Sequence, residues 1–128
     1  MDFSSVYVIA ASNNMSKVGI SINPARRVSQ LQTGNGSQLS LAYSLSAVKP
    51  VVEMIERSVH TKMRRYREQG EWFSVKPQTA IAFVGSEFLA IDDYYRKFGR
   101  LPKTQDEIPD RLDLDGNHGL FFVVERHI

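Results

Sequence analysis

Tyr7, Lys17, Arg27 and Glu56 bring a phenol, an ammonium, a guanidinium and a carboxylate into the first half of this chain. The first three sit on three consecutive short segments. If those segments pack together, the groups share one surface, and two of them are cations suited to an anionic partner. Glu56 is the acidic contributor. It stands four residues before His60 on a predicted helix, at the border of an apolar stripe. That spacing has two readings. One is a surface pair worth about a few tenths of a kcal/mol. The other is a half-buried carboxylate able to hold a divalent cation, because hard cations prefer carboxylate oxygens. Arg57, Arg64, Arg65 and Arg67 give the same helix a basic side, and Arg26 lies beside Arg27, about 100° further round its own helix.

The elements that must position these groups follow from local pattern. Two β-branched runs, Ser5–Ile9 and Ser16–Ser21, are joined by a small polar link centred on Ser12, Asn13 and Asn14, which reads as a hairpin. Strands are predicted over residues 4–10 and 17–21. Period-2 alternation places Val6 and Val8 on one face, with Tyr7 and Ile9 on the other; Lys17 and Gly19 share a face opposite Val18 and Ile20. A glycine inside a strand marks a bulge or the close approach of another group. A lysine opening a short strand is ordinarily an exposed edge charge, and a strand tyrosine ordinarily packs its ring. Asn23 suits an N-cap and Pro24 a first helical position, which predicts a helix over residues 24–32 with Val28 and Leu31 inward. Thr33-Gly34-Asn35-Gly36 stops it.

A third strand is predicted over residues 38–47, with Leu39, Leu41, Tyr43 and Leu45 on one buried face. Lys49-Pro50 opens a second helix, predicted over residues 51–67. Its apolar stripe is Val52, Ile55, Val59, Met63 and Tyr66, and Gly70 ends it. Trp72-Phe73 reads as an aromatic lid on the sheet. A third helix is predicted over residues 78–98 from Ile81, Val84, Phe88, Ile91, Tyr95 and Phe98, with Gly99 as the stop. Beyond it, Arg111–Leu114 and Gly119–Glu125 read as a terminal hairpin. Asp113, Asp115 and Asn117 start a calcium-loop pattern that lacks its closing glutamate.

At 128 residues with 42% apolar and 23% charged content, the chain has the composition of one soluble domain. No cysteine is present, which excludes disulfides and thiolate metal sites. No apolar run reaches the roughly 20 residues of a membrane span, and no basic segment precedes an apolar one at the N-terminus. A cytoplasmic protein with no membrane partner is expected. The net charge of +2 is unevenly placed: residues 1–76 carry ten Lys/Arg against five Asp/Glu, and residues 77–128 carry six against nine. The basic part holds the candidate surface and would attract a polyanion.

Taken together, these residues resemble the GIY-YIG nuclease superfamily, in its small phage and bacterial branch with a Lys-apolar-Gly second motif. VYVI at 6–9 resembles the first motif, with Tyr7 at its tyrosine. KVGIS at 17–21 resembles the second, with Lys17 where the classical tyrosine stands. NPARR places Arg27 at the helix arginine, LQTG at 31–34 resembles the helix-end signature, and Glu56-x-x-x-His60 followed by GEWF at 70–73 resembles the last. The likeness spans about residues 5–75. Val6 replaces a small residue, Leu31 stands where some members carry a histidine, and no asparagine follows Glu71 to close the site.

The resemblance implies an α+β fold: a small central antiparallel three-stranded sheet flanked by helices, with a nuclease-like core over 1–76 and a C-terminal helix and hairpin over 77–128 packed on the same domain. It also implies divalent-metal-dependent hydrolysis of DNA phosphodiesters. Glu56 would hold Mg²⁺, or Mn²⁺. Arg27 would stabilise charge on the phosphate. Tyr7 would take a proton from water, with Lys17 and Arg27 lowering its pKa. His60 would be a supporting group, a proton carrier or a structural helix residue. Lys17, Arg26, Arg27 and Arg64 would contact DNA, and a homodimer is compatible with the pattern. Two other classes remain open: a nucleic-acid-binding module that kept the fold without cleavage, and an interaction protein that assembles through Phe121-Phe122 or the acidic tail.

Overall fold

The computed structural model describes residues 2–108. The predicted hairpin at 111–125, the Asp113–Asn117 turn and Phe121-Phe122 lie outside the described residues. The elements run β1 (Phe3–Ala11), β2 (Ser16–Ser21), α1 (Pro24–Gln32), β3 (Leu39–Val48), α2 (Lys49–Lys62), β4 (Trp72–Phe73) and α3 (Pro77–Phe98). Two 3₁₀ turns, Arg64–Tyr66 and Gln105–Glu107, follow α2 and α3.

β1 lies between its hairpin partner and β3 in an antiparallel sheet of order β3-β1-β2-β4. Both of its edges are therefore paired, and side chains pack on both of its faces. Val6 and Val8, with Val18, pack under Val52, Ile55, Val59 and Met63 of α2 and under Val84 and Ile91 of α3. Tyr7, Ile9 and Ala11 face the other way, where Val28 and Leu31 of α1 pack on them. The alternation predicted for the hairpin thus divides a larger core from a smaller one. Asn23 caps α1 as expected: its Oδ1 accepts the Arg26 N–H at 3.1 Å.

Four features differ from expectation. The sheet has four strands, because Trp72-Phe73 pairs with Ser16-Lys17 and does not merely cover the sheet. β3 does not keep one buried face. Val8 pairs with Tyr43 and Ile9 with Leu41, so a one-residue bulge at Ala42 turns the strand over. Tyr43 and Leu45 join the large core while Leu39 and Leu41 join the small one. α2 ends at Lys62, before Arg67. The following segment is drawn into pairing: Tyr66 C=O accepts the Ser74 N–H at 2.7 Å, and Arg67 bridges Phe73. Gly70 supplies the positive φ of the intervening turn.

The buried face of α3 is the fourth difference. It runs through Ala80, Phe83, Val84, Glu87, Ala90, Ile91 and Tyr94. Tyr95 and Phe98, expected inside, are exposed. The rotation carries Glu87 into the core against α2. There it accepts a hydrogen bond from Ser58 and pairs with Lys62 Nζ at 2.8 Å. Such a charge is tolerated only when paired and hydrogen-bonded.

Candidate active site

The hairpin register builds the site's floor. Tyr7 stands opposite Gly19, and Ile9 opposite Lys17. Cross-strand partners share a face, so the phenol and the ammonium lie on the α1 side of the sheet. The phenol lies directly over Gly19: a Cβ there would stand 2.3 Å from Tyr7 Oη and 2.6 Å from Cζ. Gly19 therefore marks a close approach, one of the two meanings its position allowed. On the other flank Tyr7 faces Ser44, a small buried residue.

Lys17 is not an exposed edge charge. It is only 7% exposed. Its Nζ lies 2.9 Å from Glu71 Oε2 and 6.0 Å from the Trp72 ring centroid. β4 brings both partners into place by pairing Trp72 with Lys17.

Arg27 comes from α1. The Asn23 cap and Pro24 set the helix start, and Val28 and Leu31 seat the helix on the small core. That seating brings the Arg27 guanidinium near enough to the Tyr7 hydroxyl to favour its ionised form, while Arg27 Nη1 donates to Gln30 Oε1 at 3.5 Å.

Glu56 and His60 come from the opposite layer. Their helix packs on the Val6/Val8/Val18 face. They reach the site because β4 covers only Ser16 and Lys17 of the outer edge of β2. Past that point His60 takes the place of a strand: its Nε2 donates to the Val18 carbonyl at 2.7 Å, which fixes the imidazole tautomer and ties α2 to the site strand. The ring also packs edge-on against Phe73, with centroids 5.2 Å apart. One turn earlier, Glu56 lies on the wall of an open basin of about 620 Å³, lined also by Ile20, Arg57, His60, Arg64 and Arg67.

The electrostatics join these groups. Burial, then the like charge of Glu71, push the Glu56 carboxyl up, while His60, Lys17 and Arg57 pull it back. Glu71 is held low, chiefly by its hydrogen bond from Lys17. Tyr7 is pushed up, chiefly by burial, with Glu71 and Glu56 adding to the rise and Arg27 opposing it. This corrects the expectation that Lys17 and Arg27 lower the tyrosine. Arg27 acts in that sense but burial outweighs it, and the Lys17 charge is taken up by Glu71.

Tyr7, Lys17, Arg27 and Glu56 are thus brought into one electrostatic unit, with His60 bracing its edge. Arg64 stands on the basin rim, its Nη1 donating to the Thr61 carbonyl at 3.0 Å. Arg26 is not part of this unit. It is exposed on a separate shallow groove with Ser21, Ile22 and Gln30. Two participants escaped sequence reasoning. In the sequence Glu71 stands only as part of a motif; the signal for its role is its place one residue before the partner of Lys17. Arg67 was read as one of several helix arginines, yet it lines the basin and lies over the Phe73 ring at 5.7 Å.

Among the described residues no group of three or more His, Asp or Glu side chains is placed to bind a metal ion. The carboxylates that line the basin are the half-buried Glu56 and the exposed Glu53. That suits a cation that keeps most of its waters, as Mg²⁺ does.

A family model described as the T5orf172 domain matches residues 4–86, a span that contains every residue of this site. No curated protein and no solved structure gives a significant match. Among the described residues no helix is long and apolar enough to cross a membrane.

Proposed function

The chain belongs to the T5orf172 domain family, and from that premise we propose that it is a divalent-metal-dependent DNA endonuclease of the GIY-YIG type. The association of this domain with phage-type nucleases supports a phosphodiester substrate. The observation that carries the proposal is the meeting of Tyr7, Arg27 and the Lys17–Glu71 pair with Glu56 around the uncovered edge of β2.

In this reading the phosphate approaches the Tyr7 hydroxyl, which lies over Gly19 and fills the space that a side chain there would take. Arg27 binds a non-bridging oxygen through its planar fork and stabilises the charge that grows there. Tyr7 orients the attacking water and, as the phenolate, receives its proton as the water oxygen bonds to phosphorus; the P–O bond to the deoxyribose oxygen breaks, and that oxygen takes a proton from solvent. Glu56, with Glu71 beside it, would hold Mg²⁺ or Mn²⁺. When bound, that cation would supply Lewis-acid polarisation of the phosphate and would offset the smaller part of the Tyr7 rise that comes from Glu71 and Glu56, burial being the larger. Lys17 holds Glu71 in place and contributes positive potential beneath the phosphate. His60 positions Glu56 by fixing α2 to the Val18 carbonyl.

A second reading has one observation in its favour. With Tyr7 held protonated and Lys17 ion-paired, the same surface could bind nucleic acid without cutting it. Incubation with supercoiled plasmid separates the two. Nicking in Mg²⁺ or Mn²⁺ that EDTA abolishes supports the nuclease. Salt-sensitive retention of DNA without nicking, across metals, supports the binding module.

A further inference from the structure

Next to the catalytic face lies a second cavity of about 270 Å³ that the reaction does not use. Its wall is Trp72, flanked by Met15. Its rim carries Asn13 from the β1–β2 turn, Asn35 from the α1–β3 loop, and Glu68 and Gln69 from the turn before β4. We propose that this cavity receives one unpaired nucleobase of the DNA strand whose phosphate lies at the Tyr7–Arg27 site. The proposal rests on the nuclease reading and names the form of DNA that the site takes.

Three observations carry it. The first is position. Lys17 Nζ is 6.0 Å from the Trp72 centroid, so the indole lies within about two base steps of the Lys17 ammonium, at about 3.4 Å per step in a stacked strand. The second is chemistry. No Lys or Arg lines the cavity, and Glu68 does, so a phosphate is disfavoured there while an uncharged aromatic ring is not. A base stacked on an aromatic side chain gains affinity with little regard to sequence.

The third observation is the state of the two asparagines. Asn13 Oδ1 accepts the Met15 N–H at 3.1 Å, and Asn35 Oδ1 accepts the Ser37 N–H at 2.9 Å. Because a backbone N–H can only donate, each amide is oriented with its oxygen engaged and its NH₂ left as the outward donor. Two fixed donors on one rim match the carbonyl and ring-nitrogen acceptors of a base edge, and Glu68 offers the complementary acceptor. A paired base has its Watson–Crick edge occupied, so the cavity selects a strand that is frayed, splayed or single.

Trp72 is the sole tryptophan of the chain and reports on its own cavity. The full-length protein is titrated in EDTA with three fluorescein-labelled DNAs: a splayed duplex, a fully paired duplex, and the splayed duplex with abasic sites in its arms. Label anisotropy reads binding, and indole emission reads stacking. The expected result is binding of all three, with a saturable fall in Trp72 emission for the first alone. Trp72→Leu weakens splayed DNA roughly tenfold and leaves the paired duplex unchanged, and Trp72→Phe restores most of the loss. Binding with unchanged emission for every DNA, or equal quenching by the abasic DNA, overturns the base cavity and leaves the nuclease reading standing. No binding of any DNA overturns both.

Discussion

Gly19 is the position where the smallest change to the chain should have the largest effect on the site. Replacing it by alanine puts a methyl 2.3 Å from Tyr7 Oη, 2.6 Å from Cζ and 3.1 Å from Cε1. The Tyr7 hydroxyl must retreat by about 1.1 Å to reach ordinary contact at 3.4 Å. It cannot do so freely. The ring is 2% exposed and packed in the small core, with Arg27 near its hydroxyl. Overpacking of this kind costs about 1–3 kcal/mol. For a domain of this size the melting temperature then falls by about 4–12 °C. A shift of about 1 Å in a group that must meet a water and a phosphate costs about a hundredfold in rate. The assay is plasmid nicking in Mg²⁺ at a temperature well below both melting transitions, with Gly36→Ala as the control, since a Cβ at Gly36 meets nothing within 4 Å. Gly19→Ala should nick about a hundredfold more slowly while Gly36→Ala matches the parent. A Gly19→Ala protein that melts and nicks like the parent would refute the placement of the phenol over β2 as a working part of the site.

The Glu56 carboxyl is raised above its ordinary 4.5 by burial and by Glu71, so its contribution to stability is present below that value and lost as pH rises through its folded pKa. Glu56→Gln should therefore raise the melting temperature at neutral pH, with the gain closing below 4.5; a neutral-pH loss would contradict the assignment. Glu87→Ala removes a core carboxylate that holds Ser58 and Lys62, and should cost about 3–5 kcal/mol in urea unfolding, in contrast to the fraction of a kcal/mol expected at a surface glutamate. Arg64→Glu with Arg67→Glu places two acids on the basin rim. It should flatten the slope of log affinity for DNA against log salt by about two, measured by anisotropy; an unchanged slope would remove the basin from the DNA path.

What was legible in the sequence was what local chemistry decides. The β-branched runs around a polar link define the hairpin. Its period of two groups Tyr7 with Ile9 and Lys17 with Gly19, and the register of the hairpin then puts both pairs on one face. The Asn23-Pro24 start is a cap with a mechanism, and the helix forms with the predicted bounds. What stayed hidden depends on partners distant in the chain. A bulge at Ala42 changes no composition, yet it sends Leu41 and Tyr43 to opposite cores. Glu87 lies outside the predicted apolar stripe of α3 and enters the core where Ser58 and Lys62 of α2 meet it. Glu71 enters the site only because two residues of β4 pair with the start of β2. The direction of the Tyr7 shift was missed for a related reason. Counting nearby cations does not count the burial that opposes them, nor the acid that occupies one of them.

The central claim is that Glu56 holds the cation with which this surface cuts DNA. Its most direct test is the nicking of supercoiled plasmid by the purified chain and by Glu56→Ala, each in Mg²⁺, in Mn²⁺ and in EDTA, with circular dichroism confirming that both are folded. The account predicts metal-dependent conversion to nicked or linear DNA by the parent and none by the variant. Equal cleavage by the folded Glu56→Ala protein would contradict it.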